Sequence, residues 1–275
     1  MAVALVTGSS TGIGLATAVT LARAGHTVYA GMRRPEAAAD ELKAAGAAIL
    51  ELDVDNDESV AAACNRSIDV LVNNAGVASS GAVEETPVAE YRRVMETNFF
   101  GALRCIQAVL PGMRERRNGC IVNVTSVAGR LSAAVQSPYS ASKWALEALS
   151  ESLACEMRAF GVRVAVVEPG VIATPIFGKS RPPERPSIYP HERRLNALYA
   201  ASLKNPVSPY VVAEVIRGIV DSDSWKLRYP VGPDAAPLLG RRAAITDEEW
   251  IAAAAVSDEE WKARIKRSMG LDVEL

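Results

Sequence analysis

A short apolar run, Val3-Ala4-Leu5-Val6-Thr7, passes directly into Gly8-Ser9-Ser10-Thr11-Gly12-Ile13-Gly14 and then into a helix-forming stretch that closes at Gly25. Glycines packed this densely between a strand and a helix narrow the choice of fold sharply. They allow a tight turn and a close backbone approach. The helix behind them aims its free N-terminal amides and positive dipole end at whatever lies above the turn. An anionic phosphate is the ligand that such a turn suits. The spacing is G-x-x-x-G-x-G rather than the G-x-G-x-x-G of many dinucleotide sites, yet its position after the first strand points to the same use.

Downstream, apolar runs alternate with helical patterns. Strands are predicted over Thr27–Met32, Ala47–Leu52, Ile68–Asn73, Cys120–Thr125 and Val162–Glu168. Helices are predicted over Gly12–Ala24, Pro35–Ala45, Asp57–Cys64, Val88–Arg117 and Tyr139–Phe160. This order implies an α/β fold, a doubly wound parallel sheet with helices on both faces. The strands are nearly unbroken Val, Ile, Leu and Ala, as expected when both faces are covered. After Gly170 the pattern changes. Residues 174–190 are rich in proline and charge and read as a long irregular loop, part of a substrate lid over 174–205. Helices follow at His191–Leu203 and Ser208–Val220, with an edge strand at Trp225–Tyr229. Thr246-Asp247-Glu248-Glu249 and Ser257-Asp258-Glu259-Glu260 look like capped, acidic helix starts, which give a C-terminal helical extension over 233–275 with Trp250 and Trp261.

The chain has 275 residues, 49% of them hydrophobic, which is ample for a core and consistent with one domain over 1–275. A formal net charge of −2 offers no field for nucleic acid or an anionic membrane surface. The apolar start is too short for a signal segment or a membrane span, and a cytoplasmic protein is expected. Cys64, Cys105, Cys120 and Cys155 lack paired spacing and read as buried free thiols. With only His26 and His191 present, no metal site is expected.

Tyr139 and Lys143 stand four residues apart at the start of a predicted helix, with Pro138 suited to its first turn. That spacing puts phenol and ammonium on one face. A cation beside a phenol favours the phenolate and lowers its pKa from about 10, which makes Tyr139 a candidate proton donor or acceptor. The second strand ends at Met32-Arg33-Arg34, without the acid that NAD sites place roughly 20 residues after the glycines to bond the ribose. Arg33 and Arg34 suit a phosphate instead, so NADP(H) is expected, with Arg33 as the main contact.

Four segments together, Thr7–Gly14, Asn73-Asn74-Ala75-Gly76, Tyr139-x3-Lys143 and Pro169-Gly170, resemble the short-chain dehydrogenases/reductases over about Met1 to Val231. The resemblance implies a Rossmann-type fold and residue roles at matching positions. Asn98 corresponds to an asparagine that anchors a water in a proton relay. Ser126 matches a serine that hydrogen-bonds the substrate oxygen. Tyr139 matches the general acid/base, and Lys143 a lysine that tunes the tyrosine and binds the nicotinamide ribose. For the cofactor, it implies Gly8, Ser10, Thr11, Gly12, Ile13 and Gly14 at the phosphates, and Asp53 and Val54 near adenine. Asn74, Ala75 and Gly76 fall beside the adenosine-side ribose, and Pro169, Gly170, Ile172 and Thr174 beside nicotinamide and pyrophosphate. The segment Asp57–Ser67 is shorter than the family pattern, which is expected to bare part of the sheet edge.

A carbonyl reduced by hydride needs a proton at oxygen, and Ser126 with Tyr139 meets that need. The strand Val28–Arg33 and the segment Arg228–Gly232 look like relatives acting on hydroxysteroids, retinoids and other bulky ketones. Leu131, Val135, Ile176, Phe177, Ile188, Tyr189, Leu195, Leu198 and Tyr199 are candidate walls of an apolar pocket, and His191 reads as a lid-surface residue. The expected activity is NADP(H)-dependent interconversion of a ketone or aldehyde and an alcohol. Two other readings stay open: a non-catalytic NADP(H)-sensing protein and an NAD-linked alcohol dehydrogenase. Relatives pair through helices matching Val88–Arg117 and Tyr139–Phe160, so a homodimer or homotetramer is expected.

Overall fold

The computed structural model describes residues 1–178 and 186–275. Seven parallel strands form a single sheet in the order β3-β2-β1-β4-β5-β6-β7. They are β1 (Val3–Thr7), β2 (Thr27–Met32), β3 (Ala48–Glu51), β4 (Val70–Asn73), β5 (Gly119–Val124), β6 (Val162–Pro169) and β7 (Arg228–Val231). The strand order reverses between β1 and β4. In such sheets a crevice opens at that point, beyond the carboxyl ends of the strands.

Both faces are covered. On one side α1 (Gly12–Arg23), α2 (Asp40–Ala44) and α8 (Pro209–Val220) close a core that includes Val6, Val19, Ala30, Val122 and Ile216. On the other, α3 (Asp57–Cys64), α5 (Gly101–Arg116) and α6 (Ser137–Met157) close a core around Leu5, Leu71, Ile106, Ile121 and Leu153. This is why the strands carry apolar residues at successive positions: β5 is buried along its whole length. Each fully buried aliphatic side chain stabilises the fold by about 1.5–3 kcal/mol.

Local breaks depart from the sequence pattern. The predicted helix over Pro35–Ala45 divides into a 3-10 turn, Pro35–Ala37, and the short α2. The predicted helix over Val88–Arg117 is α4 (Val88–Met95), a π-helical stretch Glu96–Phe100, and then α5. The last strand lies at Arg228–Val231 rather than Trp225–Tyr229. It carries Pro230, which is tolerated because β7 pairs only with β6. Despite the shortened 57–67 segment, Ile68 and Val70 are buried, while the edge strand β3 is exposed or half-buried along its length. Arg66 helps here, its guanidinium 4.7 Å from the centroid of the Tyr29 ring. Cys64, Cys105 and Cys120 are buried free thiols, but Cys155 is exposed on α6.

The C-terminal region supplies α9 (Ala235–Ala243), α10 (Asp247–Ala252) and α11 (Asp258–Met269). Thr246 and Glu249 form a reciprocal capping box, and Ser257 accepts from the Glu260 amide. The helices do not stand apart from the rest of the molecule. On α7 (His191–Ser202), Arg194 bonds Asp258 at 2.8 Å and the carbonyls of Ala254 at 3.2 Å and Val256 at 2.7 Å. The Trp250 indole donates to the Ser132 carbonyl at 2.9 Å. Among the described residues no helix is long and apolar enough to cross a membrane.

Candidate functional site

The glycine turn lies at the carboxyl end of β1. Gly8 and Gly12 hold φ of +68° and +62°, a region that side chains rarely adopt. A Cβ on Gly14 would lie 2.4 Å from the Gly8 carbonyl oxygen, so the turn closes on itself only because that side chain is missing. Thr7 fastens the turn to the end of β4. Its hydroxyl accepts from the backbone amides of Asn74 at 3.0 Å and Ala75 at 2.9 Å, and the Asn74 side-chain Nδ2 donates to the Thr7 carbonyl at 2.9 Å. Thr11 caps α1 without a side-chain bond to its first amides, which leaves them for a ligand. The Thr174 side chain would lie 3.2 Å from a Cβ on Gly12, so the segment after β6 folds onto the turn. This cradle of bare amides and absent side chains fits the phosphates of a dinucleotide.

At the end of β2, Arg33 and Arg34 are exposed, and Gly31 packs beneath Leu52. Asp53 and Val54 follow β3. The Asp53 amide is held by the Ser59 hydroxyl at 2.9 Å, and Val54 is buried against Gly101. Gly76 stands against Asn98, whose oxygen would be 3.3 Å from an added Cβ.

Asn98 sits in the π-helical stretch and is 1% exposed. Its oxygen accepts from the Val77 amide at 2.8 Å. Its amide donates to the Val77 carbonyl and the Ser142 hydroxyl, both at 3.0 Å. Irregular helical turns of this kind are frequent at functional sites. Ser126 follows β5 and caps a 3-10 turn, Val127–Gly129, through a 3.1 Å bond from the Ala128 amide. Tyr139 and Lys143 share one face of α6. The Lys143 ammonium donates to the Val124 carbonyl at 2.9 Å and lies 5.7 Å from the centroid of the Tyr139 ring.

The expected lowering of the Tyr139 pKa is overturned. Burial pushes the phenol up to about 12, against a smaller downward pull from its hydrogen bond with Ser126. Burial also pushes Lys143 down to about 8, with Glu147 pulling the other way. Desolvation therefore outweighs the Ser126 hydrogen bond in setting the phenol.

Ser126, Tyr139 and Lys143 line the floor of a cavity of about 410 Å³, together with Pro169, Gly170 and Ile172. Leu131, Ile176, Phe177, Leu195, Leu198 and Tyr199 line its walls as expected. Three expected wall residues do not. Ile188 is 81% exposed, Tyr189 turns its hydroxyl to Glu84, and Val135 packs behind the wall with Ala82 and Leu195. The lid residues 179–185 lie outside the described residues. His191 borders the cavity and pairs with the Ala254 carbonyl at 3.1 Å, so it fastens α7 to the C-terminal region.

Sequence reasoning missed the far wall, which consists of Leu238 and Arg241 on α9, Trp250 on α10 and Trp261, Arg264, Ile265 and Met269 on α11. The signal was a tryptophan directly after each acidic helix start. It also missed Glu147, one turn beyond Lys143 and 4% exposed. Glu147 accepts from Thr125 at 2.7 Å and from Arg228 at 3.0 Å.

Comparison with known proteins agrees with this geometry. Residues 2–185 match the family profile described as short chain dehydrogenase. The chain is 37% identical to retinol dehydrogenase 8 of Bos taurus over 87% of its length and 84% of that protein's. A short-chain dehydrogenase from Streptomyces avermitilis superposes with a TM-score of 0.80 at 38% identity, covering 93% of this chain and 98% of that one. A short chain dehydrogenase of Burkholderia cenocepacia J2315 solved with NADP gives a TM-score of 0.74 at 27% identity, over 93% of this chain and 98% of that one. A parallel sheet with a glycine turn, a half-buried Tyr139 and a buried Lys143 beside a serine, and relatives matched along most of its length place the chain in the short-chain dehydrogenase/reductase family of oxidoreductases.

Proposed function

We propose that this oxidoreductase interconverts a bulky apolar ketone or aldehyde and the corresponding alcohol, using NADP(H). One observation carries the reading: Ser126, Tyr139 and Lys143 meet at the floor of a largely apolar cavity that also borders the glycine turn through Ile13 and Asn74. The bound nicotinamide supplies or accepts the hydride. In the reductive direction the substrate oxygen rests between the Ser126 hydroxyl and the Tyr139 phenol, and Tyr139 delivers its proton to that oxygen. A phenol held at about 12 keeps that proton through neutral pH. Lys143 provides the cation beside it and a donor for the nicotinamide ribose, and Asn98 braces the base of α6 through Ser142.

NADP(H) is favoured over NAD because Met32, at the end of β2, stands where an acid would repel the extra phosphate, while Arg33 and Arg34 are exposed beside it. We assign Gly8, Ser10, Thr11, Gly12, Ile13 and Gly14 to the phosphates. Asp53, Val54, Asn74, Ala75 and Gly76 take the adenosine half, and Pro169, Gly170, Ile172 and Thr174 the nicotinamide half. Residues 174–205 and 233–275 together make the substrate-binding half of one domain.

We also propose self-association along α5 and α6, because Phe100, just before α5, and Trp144, on α6, are 42% and 49% exposed. Sedimentation velocity of wild type and Trp144→Glu tests it: a single monomeric species for both refutes it. The activity is tested by following NADPH consumption over a panel of steroid, retinoid, aromatic and acyl ketones. Turnover of at least one supports the reading. NADPH binding without turnover of any points to a cofactor-sensing protein.

A further inference from the structure

The cavity changes character along its length. Its floor is polar, at Ser126, Tyr139 and Lys143, and its walls are largely apolar, with Phe177, Leu198, Ile265 and Met269. At the C-terminal wall stand two guanidinium groups, Arg241 of α9 and Arg264 of α11. These same two side chains border an adjoining, more open recess of about 430 Å³, whose other lining residues are Glu260, Arg267 and Ser268. Three guanidinium groups thus face one carboxylate. Glu260 is shared by Arg264 at 2.8 Å and Arg267 at 3.2 Å. Among the described residues the Arg241 guanidinium has neither an ion pair nor a hydrogen bond. Arg194, which also borders the cavity, already commits donors on all three of its nitrogens to Asp258 and two carbonyls.

An apolar substrate alone gives no use to a cationic rim. The cofactor phosphates do not account for it either. The glycine turn follows β1 and Arg33 follows β2, four and five places from β7 along the sheet, while α9 follows β7 directly. We infer that the substrate is amphipathic: an apolar body whose reacting carbonyl or alcohol lies at Ser126 and Tyr139, with an anionic oxygen group at its far end held by Arg241 and Arg264. This inference rests on the oxidoreductase reading above. Guanidinium groups present paired donors that match a carboxylate or a phosphate, and they lose less on leaving water than an ammonium does.

The probes are medium- and long-chain fatty acids carrying a penultimate ketone, their methyl esters, and the matching alkyl phosphates. NADPH-driven kcat/KM for the acid exceeds that for its ester by about tenfold at low salt, and the gap narrows as salt is raised. In Arg241→Gln the acid-to-ester ratio falls toward one, and in Arg241→Gln/Arg264→Gln it reaches one. Carboxylate and phosphate arms show which headgroup the rim prefers. Equal turnover of acid and ester by the wild type, or a ratio that survives in the double variant, overturns the inference. If neither compound is reduced while NADPH binds, the ketone panel above decides the oxidoreductase reading separately. Quenching of Trp250 and Trp261 by the same acid and ester then decides the rim. Tighter binding of the acid that is lost in Arg241→Gln upholds it, and equal binding refutes it.

Discussion

The Lys143 ammonium stands 5.7 Å from the centroid of the Tyr139 ring and is tethered to the Val124 carbonyl at 2.9 Å. The tether fixes a cation under the phenol before any ligand arrives, so the two groups work as a unit. Replacing Tyr139 with Phe removes the proton and little else. NADPH-driven turnover falls by about a hundred- to ten-thousand-fold. NADPH affinity, read from its fluorescence, stays within about twofold because the ring and Lys143 remain. A Tyr139→Phe enzyme with near-normal turnover would remove the phenol from the chemistry.

The pH profile reports on Lys143. Burial disfavours its charged form and holds its pKa at about 8, so the cation is lost as pH rises through that value. Tyr139, at about 12, keeps its proton across the same range and contributes no limb there. The reductive kcat/KM therefore falls above about pH 8, and Lys143→Arg, whose side chain stays charged, shows no limb at that pH even with a lower maximum. A wild-type profile that is flat from about pH 7 to about pH 10 contradicts this assignment.

The proposed preference for NADP(H) rests on Arg33. In Arg33→Ala the Kd for NADPH rises about tenfold, with little change for NADH, because only the phosphate contact is lost. Calorimetric titration with both cofactors checks it. Equal weakening of the two would show that Arg33 merely supports the loop.

Arg194 holds the C-terminal helices. Its side chain is 7% exposed, and Arg194→Ala leaves the Val256 carbonyl without its side-chain donor, while Asp258 keeps Arg193 and the Ala254 carbonyl keeps His191. The expected cost is about 2 kcal/mol, felt locally. Hydrogen exchange quickens in α10 and α11 while the strands stay protected, and KM rises more than kcat falls. Uniformly faster exchange across the sheet would mean that the clamp stabilises the whole fold.

The glycine turn, the run of strands and the Tyr139–Lys143 face were legible because each depends on residues close in sequence. Glycine at positive φ, unbroken apolar strands and an i,i+4 pair all leave local marks. The far wall of the cavity left almost none. Arg194 meets partners some sixty residues away, and Trp250 bonds Ser132, so no local pattern encodes either contact. The π-helical stretch at Asn98 was hidden because its residues also suit a regular helix. The raised Tyr139 pKa was missed for a related reason: a spacing shows that a cation is near, but only the packed structure shows how far water is excluded.

The division of the cavity wall also bears on how the protein is made. β1 to β6, the glycine turn and the Ser126–Tyr139–Lys143 floor all precede residue 170, whereas α9 to α11 come last. During synthesis, which exposes N-terminal segments first, most of the nucleotide half emerges before the last three helices exist, with α8 and β7 between them. The final helices thus close over a floor whose residues have already emerged.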